Sequence, residues 1–152
     1  MSSPPALQGL LAAHGIACPP ALDGLDVLVV DDEADTREML QALLEHCGAG
    51  VRLASSVAEG MAMFAELRPD VLLSDIGMPG EDGYVLIDRI RKLPPGAGGG
   101  VPAVALTAYA RTEDRTRALL AGFNNHVSKP VEPLELLAVL ASLSARAFKR
   151  DR

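Results

Sequence analysis

From Leu25 onward, this chain alternates short apolar runs with stretches that repeat at helical spacing. Asp26–Val30 is wholly apolar after its first residue, the pattern of a strand covered on both faces. Ala34–Cys47 follows, with Met39, Leu40, Leu43, Leu44 and Cys47 on one face and Gly48 where a carboxyl-terminal cap belongs. Val51–Ala54 reads as a second strand. Ser56-Val57-Ala58-Glu59 is a capping box, in which hydroxyl and carboxylate each satisfy an orphan backbone N–H. The helix it opens buries Met61 and Phe64 and ends before Pro69. Val71–Asp75 is a third strand, Ile76–Gly83 a loop, and Tyr84–Leu93 a helix with Ile87 and Ile90 facing inward. After a flexible break at Pro94–Gly100 come a strand at Ala103–Thr107 and a polar helix near Thr112–Ala121, stopped by Gly122. His126–Ser128 is a very short fifth strand, and Pro133 suits the first turn of a last helix running to about Phe148.

Five strands alternating with five helices predict an α/β fold: one parallel sheet with right-handed crossovers and helices on both faces. The 152 residues suit a single domain, and aromatics at 3% leave its core to aliphatic side chains. Residues 1–24 differ, carrying one charge (Asp23) and four prolines (Pro4, Pro5, Pro19, Pro20). They read as a Pro-rich leader or linker, with Leu7, Leu10 and Leu11 spaced for one or two helical turns. The predicted division is leader 1–24, folded body 25–148 and tail 149–152.

A net charge of −6 argues against direct nucleic-acid binding, where affinity comes mainly from cations neutralising phosphates. The basic end (Arg146, Lys149, Arg150, Arg152) reads as a solvated helix terminus. No apolar run approaches the roughly 20 residues that span a bilayer, and the amino terminus lacks the basic start of a signal peptide. The expectation is a reducing, cytoplasmic setting with no direct membrane contact. Cys18 and Cys47 make no disulfide framework, so Cys47 is expected to be a buried, inert thiol.

Chemistry in such sheets gathers at the carboxyl ends of the strands. Asp31 and Asp32 follow strand one, Asp75 ends strand three, Thr107 ends strand four, and Lys129 follows strand five. In the strand order 2-1-3-4-5, all five converge on one edge. Three carboxylates so close repel unless a cation sits among them. Mg²⁺ is the natural choice, a hard ion that takes oxygen ligands and keeps waters. Thr107 adds a hydroxyl donor and Lys129 a positive charge, parts that suit phosphoryl transfer. Singly, each has an ordinary explanation: a helix start, a turn residue, a loop. Their coincidence at successive strand ends carries the argument.

The segments Val29-Val30-Asp31-Asp32-Glu33, Leu72-Leu73-Ser74-Asp75-Ile76-Gly77-Met78-Pro79, Ala105-Leu106-Thr107-Ala108 and Val127-Ser128-Lys129-Pro130 resemble the signature blocks of two-component response-regulator receiver domains. The resemblance covers roughly Leu25 to Leu143 and implies a flavodoxin-like, doubly wound sheet. It implies Asp75 as phosphoacceptor, Asp32 as a direct Mg²⁺ ligand, Asp31 as a ligand through water, and the Gly77 carbonyl as another. Thr107, Ala108 and Lys129 would hold phosphoryl oxygens, and the Lys129–Pro130 bond would be cis. His126 stands where the family often has an inward-swinging Tyr or Phe, and its imidazole titrates near neutral pH. His14 and His46 show no metal-ligand spacing with it. Gly77 and Tyr109 would flank the path of hydrolytic water, with Tyr109 able to shield the phosphoryl group.

The implied partner is a histidine kinase or a histidine phosphotransfer protein, with output through changed binding of a further protein. The module is expected to be no enzyme beyond assisting its own phosphorylation and slow dephosphorylation. The Pro-rich lead resembles the linker before receivers at the carboxyl termini of hybrid sensor kinases, although a free-standing regulator fits equally. Two rivals are weaker. A Mg²⁺-dependent aspartate-nucleophile phosphohydrolase needs Asp-x-Asp after strand one, where this chain has Glu33 after Asp31. A flavodoxin-like cofactor binder needs a phosphate-cradling loop, where Asp31-Asp32-Glu33 would repel phosphate.

Overall fold

The computed structural model describes residues 17–108 and 111–150, with side chains through residue 144. The helical turns expected near Leu7–Leu11, together with His14 and Tyr109, lie outside the described residues. Among those described, the elements run β1 (Asp26–Val30), α1 (Ala34–His46), β2 (Gly50–Ala54), α2 (Val57–Leu67) and β3 (Val71–Asp75). They continue through α3 (Gly83–Arg91), β4 (Ala103–Thr107), α4 (Thr112–Ala121), β5 (Asn125–Ser128) and α5 (Pro133–Arg150). The strands form one parallel sheet in the order β2-β1-β3-β4-β5, the predicted doubly wound arrangement.

The pleat divides the aliphatic core in two. Val27 and Val29 face α1 and α5, together with Leu40, Leu43, Leu44, Leu136 and Leu140. Leu28 and Val30 face the other side, with Phe64, Leu86, Ile87 and Ile90. The serine cap forms as expected, Ser56 Oγ accepting from Glu59 N–H at 3.2 Å, while the glutamate reaches one residue further back and accepts from Ser55 N–H at 2.9 Å. Gly48 takes a φ of +86°, so a side chain there would be strained. α4 buries only Ala118, as its polar sequence implies, and leaves Leu120 83% exposed.

Two features differ from expectation. The packed body begins upstream of Leu25: a single 3-10 turn at Pro20–Leu22 puts Leu22 wholly inside the α1/α5 core. Cys47 is buried but is no free thiol, because it is disulfide-bonded to Cys18 across a Cα–Cα distance of 5.2 Å. The turn folds the upstream segment back over the end of α1, and spacing along the chain gives no sign of that return. Among the described residues, no helix is long and apolar enough to cross a membrane.

Candidate functional site

The site lies where β1, β3, β4 and β5 end together. Parallel register sets Asp75 beside Leu106 and Thr107 beside Ser128, so the residues following each strand lie at one edge of the sheet. Asp31, directly after β1, is fully buried, and its Oδ1 accepts from Glu33 N–H at 2.9 Å. Asp32, the next residue, is exposed. Oxygens from Asp31, Asp32 and Asp75 all lie within 4.8 Å of one another.

Lys129 supplies the counter-charge. Its Nζ stands 2.9 Å from Asp31 Oδ2, 3.2 Å from Asp75 Oδ2 and 3.1 Å from Glu33 Oε1. Burial alone would lower the ammonium pKa, but bonds to Asp31 and Glu33 and the charges of Asp31 and Asp75 outweigh it and hold the lysine above its usual range. Asp75 goes the same way for different reasons. Burial raises its carboxyl pKa and the Asp31 charge raises it further, with Lys129 opposing both. One ammonium does not neutralise this group of acids.

That donor set suits a hard divalent cation. Three carboxylates of mixed exposure converge, one open to solvent, leaving room for water and an incoming oxygen. Gly77 contributes a backbone N–H to Asp75 Oδ1 at 3.2 Å, and the space where its Cβ would stand is open. Thr107 is buried at the end of β4, and its carbonyl accepts from Lys129 N–H at 2.7 Å. Ala108 follows it, exposed, and the Lys129–Pro130 bond is cis.

His126 stands apart from the acid group. It lines a cleft of about 320 Å³ between α4, β5 and α5, with Arg115, Asn125, Ser128, Glu135 and Val139. Its Nε2 is buried with no hydrogen-bond partner among the described residues. Burial first, and Arg115 second, depress its pKa against the pull of Glu135.

Three contributors escape a reading of motifs. Glu33, which stands where the hydrolase rival needs a second Asp, is paired with Lys129. Arg37 Nη1 donates to the Asp31 carbonyl at 2.8 Å and holds the β1–α1 turn. Gly83 lets the start of α3 approach the end of β3, its N–H donating to the Ile76 carbonyl at 3.0 Å. Glu33 lies within the Asp31-Asp32-Glu33 block, but its pairing with Lys129, like the roles of Arg37 and Gly83, has no local sequence signal.

Comparison with known proteins agrees with this geometry. A family model described as the response regulator receiver domain matches residues 27–141. An uncharacterized 14.6 kDa protein of Leptolyngbya boryana is 48% identical over 116 residues, covering 76% of this chain and 87% of that protein. The response regulator MprA of Mycobacterium tuberculosis is 36% identical over 125 residues, 82% of this chain but only 53% of MprA. Among solved structures, a CheY-like response regulator receiver domain protein from Methanospirillum hungatei superposes with a TM-score of 0.75 at 28% identity, covering 84% of this chain and 99% of that one.

Proposed function

This chain belongs to the response-regulator receiver family of two-component signalling, and on that premise we propose that it accepts a phosphoryl group on Asp75 beside bound Mg²⁺. The observation that carries the proposal is the meeting of three carboxylates with a single lysine at the end of the sheet. Asp32, Asp31, Asp75 and the Gly77 carbonyl would hold the ion, Asp31 through water. Mg²⁺ there would offset the carboxylate charge and neutralise phosphoryl oxygens.

Receiver domains of response regulators take phosphate from histidine kinases or phosphotransfer proteins. In the transfer, an Asp75 carboxylate oxygen attacks phosphorus in line. The P–N bond to the donor imidazole breaks as the P–O bond forms, and the imidazole leaves neutral after taking a proton. Asp75 must be ionised to attack, and Lys129 favours that form against the burial that opposes it. Lys129, Thr107 and the Ala108 backbone then hold the phosphoryl oxygens. Added charge of about −1.5 to −2 draws Lys129 from Glu33, and α4, which buries little, shifts at low cost. Output is a changed affinity for a protein partner.

In this reading residues 25–148 are the receiver, with the end of the 1–24 leader packed against it through Leu22, and 149–152 a tail, working in the cytoplasm. Incubation with acetyl phosphate and Mg²⁺, followed by intact-mass and peptide mapping, tests it. A single phosphorylated species at Asp75 is expected, absent from Asp75→Ala and without divalent ion. Equal labelling of the Asp75→Ala variant would overturn the assignment.

A further inference from the structure

The feature left unused by phosphoryl chemistry lies at the opposite end of the sheet. Cys47 closes α1 and Cys18 precedes the 3-10 turn, so their disulfide bridges a sequence separation of 29 that takes in all of β1 and α1 and the Asp31-Asp32-Glu33 turn. The upstream segment lies across the amino ends of the strands. Gly24 N–H donates to the Gly48 carbonyl at 2.9 Å, Gly50 N–H to the Leu25 carbonyl at 2.8 Å, and Leu22 packs into the core beside α5. Between Leu22 and its upstream end the segment is mostly exposed, so the covalent link fastens the part that Leu22 and Leu25 do not.

We propose that Cys18–Cys47 is a thiol–disulfide exchange site, opened by a dithiol reductant and closed by the corresponding disulfide oxidant. One observation on the pair, and one consequence of the setting proposed above, support exchange. The two residues are unequally buried: Cys47 is 6% exposed, whereas Cys18 is only partly buried and packs at the edge of the core. In the cytoplasmic setting proposed above, disulfides are uncommon, and those that form are usually transient or redox-sensing. A dithiol's first thiolate attacks Cys18 Sγ, the Cys18–Cys47 bond breaks, and Cys47 leaves and takes up a proton. The second thiol then attacks the mixed disulfide and expels Cys18. Two electrons and two protons pass to the pair, and the reductant leaves as its own disulfide. Opening the link unfastens residues 17–25 from α1 and weakens the seat of α5.

The test uses the full chain purified without reductant. Iodoacetamide should label no cysteine before treatment and both after dithiothreitol acts on the folded protein. Cys18 should react roughly tenfold or more faster than Cys47, because it is the less buried residue of the two. Reduction should lower the Tm by about 5–10 °C, from the loss of a loop constraint of this length, and should admit protease cleavage within residues 17–25. Oxidised dithiothreitol should reverse both effects. Cys18→Ser should show the reduced behaviour in oxidising buffer. Thiols that stay free under oxidised dithiothreitol would overturn the proposal. So would a disulfide that dithiothreitol opens only after denaturation, since that is a static staple. Labelling by acetyl phosphate, followed in the same samples, reports on Asp75 independently of either result.

Discussion

Gly83 sits against the end of the strand that carries Asp75. A β-carbon on Gly83 would overlap the Asp75 carbonyl oxygen and stand 2.9 Å from the Ile76 Cα. Both neighbours are backbone, so neither can swing aside. Gly83→Ala should therefore destabilise the fold by about 1–3 kcal/mol, the usual range for overpacking. It should also displace Asp75 and slow labelling by acetyl phosphate. A variant with unchanged urea midpoint and unchanged labelling rate would show that the loop relaxes freely.

The Asp75 carboxyl is held above its ordinary range, so the folded chain binds the proton more tightly than the unfolded one. Stability from this group is full below the unfolded pKa of about 3.8 and is lost as pH rises through the folded value. At pH 7 the ionised group is a cost. Asp75→Asn should thus raise the Tm of metal-free protein, while Mg²⁺ should stabilise the wild type far more than the variant. Thermal melts with EDTA and with Mg²⁺ measure both, and a variant less stable than wild type in EDTA would refute the argument.

Lys129→Ala removes the cation that three carboxylates share, leaving Asp31 and Asp75 buried without it. A loss of about 2–4 kcal/mol is expected without divalent ion, with partial recovery on adding Mg²⁺. Denaturant titrations with and without Mg²⁺ decide the matter. A loss of the same size in both would mean that packing of the lysine stem, not charge, is at stake.

His126 is held below its ordinary pKa by burial and by Arg115, with Glu135 opposing. Its stability contribution is complete above the unfolded pKa of about 6.5 and is lost as pH falls through the folded value. Unphosphorylated wild type should lose more stability between pH 8 and pH 5.5 than His126→Phe does. A phosphoryl dianion on Asp75 would favour the imidazolium instead, so the phosphorylated conformation should be better populated at pH 6 than at pH 8. Identical amide spectra of phosphorylated protein at both values would remove His126 from the switch.

Most of the fold was legible along the chain because its signals are local. β3 and β4 are largely apolar runs whose last residues are Asp75 and Thr107. The Ser56–Glu59 box and Gly48 mark helix ends within a few residues of the bonds they make. Alternation of these elements implies the parallel sheet, and a parallel sheet brings strand ends together, so Asp31, Asp32, Asp75 and Lys129 could be grouped before any coordinates. Tertiary structure decided what depends on distant segments meeting. Glu33 reaches Lys129 across 96 positions, and Cys18 meets Cys47 because a 3-10 turn returns the chain over α1. Gly83 matters only because α3 abuts β3. A residue's type and its near neighbours set its local conformation, but which groups share a few ångströms is set by how the layers pack.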